Sequence, residues 1–173
     1  MSSHSTKKLA LAGMLCAVAV VGSMFISFPI FGSKCAPVQH MVNILCAVFL
    51  GPWYGVVVAF AASLLRNVLG AGTLLAFPGS MCGALLCGLV CWKSKNLVAT
   101  LIAEVVGTAI IGGLAAYPVA VKLLNLTPAS YTVYIVPFLI STAVGSVLAG
   151  MLVFALQKSG ALKMMGSALD GGM

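Results

Sequence analysis

Long apolar runs almost free of charge limit this chain more than any other feature. Between Leu9 and Gln157 only Lys34, Arg66, Lys93, Lys95, Glu104 and Lys122 are charged. Backbone in hydrocarbon must satisfy its own N–H and C=O groups, which leaves helices or closed barrels. The runs are continuous rather than alternating, so helices are expected. With 62% hydrophobic and 6% charged residues, a soluble globular domain is excluded. The expected fold is an all-α polytopic membrane protein, a single integral domain over residues 1–173.

The net charge of +7 does not signal nucleic acid, because the basic residues form no patch or aromatic-interleaved stripe. It reports topology instead. Six spans are expected, at about 8–28, 38–50, 53–69, 78–92, 96–123 and 130–157. On these bounds Lys7, Lys8, Lys93, Lys95, Lys158 and Lys163 share one side, with Lys34 and Lys122 on the other, so the positive-inside rule makes both termini cytoplasmic. Trp53 and Trp92 fall at the cytoplasmic interface. Lys7 and Lys8 also raise a secretory signal, but no small-x-small cleavage site ends the first run, and an uncleaved helix is expected. The six cysteines form no C-x-x-C or His/Cys cluster, so neither a disulfide framework nor a metal site is expected.

Against this background the polar residues stand out. Arg66, the only arginine, sits beside Asn67 near the end of the third span and is expected to face inward, because a guanidinium keeps its proton and is costly in lipid. Gln39, His40 and Asn43 fall within about one helical turn at the outer end of the second span. The second and fourth spans, at about 13 to 15 residues, cover only ~20 Å, so their flanking loops, Ala71–Phe77 above all, are expected to dip inward and wall an outward-facing cavity. The connection P-I-F-G-S-K-C-A-P after the first span is expected to lie as a loop over that pocket. Pro78 suits a first helical turn, whose N–H groups near Gly79, Ser80 and Met81 would be free to bind an acceptor.

Small residues recur at four-residue steps: Gly79/Gly83/Cys87/Cys91 and Ser80/Ala84/Gly88 in the fourth span, Thr108/Gly112/Ala116 in the fifth and Ser141/Gly145/Ala149 in the sixth. These stripes predict tight helix packing. Gly13 and Ala17 form a similar pair on the first helix, which spacing alone assigns to packing within the bundle. Glu104, the only carboxylate inside an apolar run, is expected to be hydrogen-bonded to a neighbouring helix, protonated, or paired with a cation. Arg66 is the obvious cation, yet the span bounds put ~8 Å or more of depth between the two. Phe77, Tyr117, Tyr131, Tyr134 and Phe138 offer flat faces for stacking a ring or for an interfacial belt.

No phosphate-binding G-x-x-x-x-G-K-[ST] loop is present, so the chain is not expected to bind or hydrolyse ATP. G-S-M-C-G at 79–83 is not a nucleophile elbow, and no enzyme activity is expected. The segments K-C-A-P-V-Q-H-M-V-N (34–43), L-G-P-W-Y-G (50–55) and L-L-R-N-V-L-G-A-G-T-L-L-A-F-P-G-S-M-C-G-A-L-L (64–86), with the six-span length, resemble the ThiW family. These are thiazole-precursor substrate-binding (S) components of energy-coupling-factor (ECF) transporters. The resemblance implies a subunit of a prokaryotic plasma membrane that captures a vitamin precursor, hydroxyethylthiazole, outside the cell. A transmembrane coupling subunit and two ABC ATPases, which use the ATP, would then drive release. In such subunits an A-x-x-x-A pattern on the first helix docks the partner, and Gly13 and Ala17 occupy the matching positions. The residues expected to hold the substrate are Gln39, His40, Asn43, Arg66, Asn67, Phe77 and Ser80, with Glu104 as a further internal polar site. The competing reading is a stand-alone secondary transporter or channel, proton-coupled through Glu104.

Overall fold

The computed structural model describes residues 3–30 and 33–170. It is a helical bundle: α1 (Ser3–Phe25), α2 (Pro37–Phe49), α3 (Pro52–Val68), α4 (Ala76–Ser94), a rod made of α5 (Leu97–Val105), a π segment (Val106–Gly112) and α6 (Gly113–Leu123), then α7 (Ile135–Lys158) and a short α8 (Ala161–Asp170). The helices Ser5–Phe25, Ala76–Ser94, Leu97–Leu123 and Ile135–Lys158 are long and apolar enough to cross a membrane, while Pro37–Phe49 is apolar but shorter. Leu9, Met14, Val57, Ile102, Val147 and Met151 are exposed along the sides. An apolar coat of this extent fits a multi-pass membrane protein and not a surface facing water.

Each break between helices has a local cause. Gly51 adopts φ 88, the left-handed region open to glycine, and Pro52 then starts α3 with a preset φ and no N–H to satisfy. Lys95 caps α4 in the αL conformation, and Asn96 Oδ1 accepts the N–H of Ala99 at 3.2 Å to start α5.

Three local differences separate the structure from the sequence expectation. The connection after α1 contains two antiparallel strands, β1 (Phe28–Ile30) and β2 (Ser33–Cys35), paired Phe28 to Cys35 and Ile30 to Ser33. Residues 31–32 of the expected loop lie outside the described residues. The strands are fastened rather than loose: Lys34 Nζ donates to Gly70 O (3.4 Å), Cys35 Sγ to Pro137 O (3.2 Å), and Ala36 N–H to Ser141 Oγ (2.9 Å). Second, α4 is 19 residues long and begins at Ala76, two residues before Pro78, so the fourth span is not short. Third, α8 adds a terminal helix whose Ala168 carbonyl accepts from Lys7 Nζ at 3.2 Å.

α4 is the central element, and both of its small-residue faces are used. On one face a β-carbon at Gly79 would meet the Phe138 ring at 2.8 Å, and one at Gly107 would meet the Cys82 carbonyl at 2.9 Å. On the other, a β-carbon at Gly88 would stand 2.5 Å from Pro52 Cα, and one at Gly55 would stand 3.7 Å from the Ala84 carbonyl. The stripes expected to pack do so, letting the backbones approach closely enough for short side chains to meet between them. Gly13 and Ala17 are the exception: both are exposed on α1, and a β-carbon at Gly13 would meet nothing within 4 Å. The packing expected of that pair falls instead to Gly22, where a β-carbon would stand 2.6 Å from Val38.

Candidate functional site

The first two turns of α2, the last turns of α3, the first turns of α4 and the middle of the α5–α6 rod converge on one buried polar cluster. Gln39, His40, Asn43, Ser63, Arg66, Ser80, Glu104 and Thr108 are each 8% exposed or less. Such groups in hydrocarbon need partners, and most find one another.

From Arg66 the chain of bonds runs in one direction. Arg66 Nη1 donates to Gln39 Oε1. Gln39 Nε2 donates to Ser63 Oγ (2.9 Å) and, at 3.4 Å, to the Ala59 carbonyl. Ser63 Oγ and Ser80 Oγ are 3.0 Å apart, and Ser80 Oγ donates to the Ala76 carbonyl at 2.8 Å. A hydroxyl has one proton, so Ser63 is the donor to Ser80. The series therefore ends on a backbone carbonyl.

A second knot lies beside it. Glu104 Oε1 receives His40 Nδ1, Asn43 Nδ2 and Thr108 Oγ1, each at 3.0 Å. The other proton of Asn43 Nδ2 goes to the Ser80 carbonyl at 3.1 Å, which ties the two halves together. Among the described residues Arg66 and Glu104 make no direct ion pair; the ring nitrogen facing Glu104 is His40 Nδ1. The π segment brings Thr108 onto the carboxylate one turn after Glu104, and wide turns of this kind are frequent at functional sites.

The remaining candidates are placed differently. Asn67 is half-buried and its amide nitrogen donates to the carbonyls of Ser63 (2.8 Å) and Thr73 (3.1 Å), so it closes the turn between α3 and α4. Phe77 meets exposed Phe60 in a tilted ring contact with centroids 5.5 Å apart. Tyr117 and Tyr131 stack on each other at 4.2 Å, and Tyr134 and Phe138 join an apolar cluster with Leu75, Ala116 and Ala120. Because α4 starts at Ala76, Gly79, Ser80 and Met81 lie within the helix; the first-turn N–H groups are those of Ala76 and Phe77, bonded to Thr73 O (3.0 Å) and Leu74 O (3.3 Å).

The polar cluster is closed. The hollows described on the chain lie elsewhere: one of about 620 Å³ bordered by Lys8, Gly51, Trp53, Trp92 and Lys95, and an apolar groove of about 540 Å³ between α5 and α7. None has Gln39, His40, Asn43, Arg66 or Glu104 in its lining. Sequence reasoning missed Ser63 as a member of the cluster and took Thr108 only for a packing residue. The signals were present: Ala59, Ser63 and Arg66 share a face of α3 at i, i+4 and i+7, and Thr108 follows Glu104 by one turn.

A protein-family model described as thiamine-precursor transporter protein (ThiW) matches residues 9–159. Among curated proteins there is no significant match.

Proposed function

The chain belongs to the ThiW family of thiamine-precursor transporter proteins, and from that premise we propose that it is the substrate-binding S component of an ECF transporter. Its substrate in this reading is hydroxyethylthiazole, taken from outside a prokaryotic cell. Six segments cross the plasma membrane, namely α1, α2, α3, α4, the α5–α6 rod and α7, with both termini in the cytoplasm. A transmembrane coupling subunit and two ABC ATPases supply the motion and the ATP hydrolysis.

The buried polar cluster supports this reading. A neutral heteroaromatic alcohol needs a few oriented hydrogen-bonding groups within an apolar frame, and the ends of α2, α3 and α4 offer Gln39, His40, Asn43, Arg66 and Ser80 together with Glu104. Binding proceeds by opening of the closed cluster beside the α3–α4 turn, where Asn67 holds the turn and Phe77 flanks it. The exposed Gly13 and Ala17 on α1 suit the coupling subunit, since small residues facing outward permit close approach by another helix.

Titration calorimetry of the purified chain against hydroxyethylthiazole, the pyrimidine precursor and thiamine tests the substrate. Tightest binding of the thiazole alcohol is expected; equal or tighter binding of another member overturns the assignment. Uptake into liposomes is expected only with the coupling subunit, ATPases and ATP. The contact of His40 with Glu104 inside the bundle favours a second reading, a proton-coupled transporter acting alone. Gradient-driven uptake by the lone chain would establish it and remove the first.

A further inference from the structure

The unsatisfied atoms of the polar cluster are not scattered. Among the described residues Glu104 Oε2 and Asn43 Oδ1 are buried acceptors without a partner, and Arg66 Nε is a buried donor without one. The amide of Asn43 cannot be turned to cure this, because its nitrogen faces two acceptors, Ser80 O and Glu104 Oε1; a flip would set oxygen against oxygen. Gln39 is fixed by the same logic, with its oxygen on Arg66 and its nitrogen on Ala59 O. One end of the cluster thus lacks a donor and the other lacks an acceptor. Buried polar groups are nearly always satisfied, and a localised exception calls for a missing partner.

The two ends are also held from successive turns of one helix. Gln39 holds Arg66 and Asn43 holds Glu104, and these two residues are one turn apart on α2, a rise of about 6 Å. Arg66 and Glu104 therefore do not neutralise each other directly. A small molecule lying along α2 would reach both.

We propose that Glu104 Oε2 with Asn43 Oδ1, and the Arg66 guanidinium, are the two poles of one ligand site. It selects small uncharged molecules that carry an O–H or N–H donor at one end and a hydrogen-bond acceptor about one helical turn away. This deepens the S-component reading and rests on it. Glu104 reads the substrate's hydroxyl and Arg66 reads an acceptor on its ring. A molecule phosphorylated at that hydroxyl is rejected, because it brings anionic oxygens, with no proton to give, against Glu104 Oε2.

Calorimetry with hydroxyethylthiazole and its O-methyl ether tests the assignment, using the full chain and its Glu104→Gln variant. The ether keeps the ring and the acceptor but has no proton to give. The wild-type chain is expected to bind the ether at least tenfold more weakly than the alcohol, and the gap is expected to shrink in Glu104→Gln. Equal affinity for alcohol and ether, or a gap unchanged in the variant, overturns the proposal and leaves the orphan atoms to bound water. Should the variant fail to fold, the wild-type gap alone decides. If the thiazole alcohol does not bind but the pyrimidine alcohol does, with the same loss on methylation, the substrate assignment fails while the site stands. If the wild-type chain binds none of these probes, both fall.

Discussion

The Glu104 carboxylate lies directly on the backbone of Gly83: a β-carbon at that glycine would stand 2.7 Å from one carboxylate oxygen and 2.8 Å from the other. The absence of a side chain on α4 is what admits a charge-bearing group from α5. Gly83→Ala is therefore expected to push Glu104 and Thr108 aside and to lower stability by about 1–3 kcal/mol, the usual cost of overpacking. Thermal unfolding in detergent measures it. Gly13→Ala, made where a β-carbon meets nothing within 4 Å, serves as the control and should stay within about 0.5 kcal/mol of the parent.

Ser63 links Gln39 to Ser80 within the Arg66 half of the cluster. Ser63→Ala deprives Gln39 Nε2 of its 2.9 Å acceptor and leaves only the longer contact to Ala59 O. A loss of about 1 kcal/mol in stability follows. Ligand affinity measured by calorimetry should fall with it, because Gln39 no longer holds the guanidinium in place. Unchanged affinity would show that the ligand does not use Arg66.

On the proposed S-component role, a bulky residue on the outer face of α1 should separate binding from transport. Ala17→Leu changes an exposed position remote from the polar cluster, so ligand affinity of the lone chain should match the parent. In liposomes containing the coupling subunit and ATPases, uptake should drop at least tenfold. Full uptake by this variant would remove Gly13 and Ala17 from the docking face.

Cys35 lies in the hairpin outside the long helices, yet its side chain is buried and donates to Pro137 O at 3.2 Å. Burial pushes its thiol above the ordinary range, which leaves less thiolate at neutral pH. Alkylation by a polar maleimide should therefore be slow at Cys35 and should accelerate in Ser141→Ala, which removes the acceptor of the adjacent Ala36 N–H. Mass spectrometry of labelled peptides reads the rate.

The helices were legible because each apolar run is long and bounded by Gly, Pro or Lys; α2 at Pro37–Phe49 and α3 at Pro52–Val68 start and stop within a residue of the expected segments. The inward aim of Arg66 was legible from cost alone, and the small-residue stripes of α4 from their spacing. The place of Asn67 was not legible from its adjacency to Arg66, because one residue on a helix is ~100° of rotation and its amide nitrogen donates within the turn. The partner of Phe77 was not legible either, since Phe60 lies 17 positions away in sequence and only the folded α3–α4 turn brings the two rings together. The knot of His40, Asn43 and Thr108 on one oxygen of Glu104 was beyond reach, because it joins residues 61 and 64 positions apart with those one turn away.

The π segment also dictates which lengths of this rod are permissible. Its wide turn spends residues without the rotation an α-helix would give them. A residue lost from 106–112 can be absorbed as the wide turn tightens to α, whereas removing one at 113–115 with the wide turn kept would swing everything downstream by about 100° about the axis. Ala116 and Ala120, now fully buried beside Tyr134 and Phe138, would face outward, while Glu104 kept its place. Single-residue deletions should be ruinous at 113–115 and milder in the stretch between Leu123 and Ile135, where no such phase has to be kept.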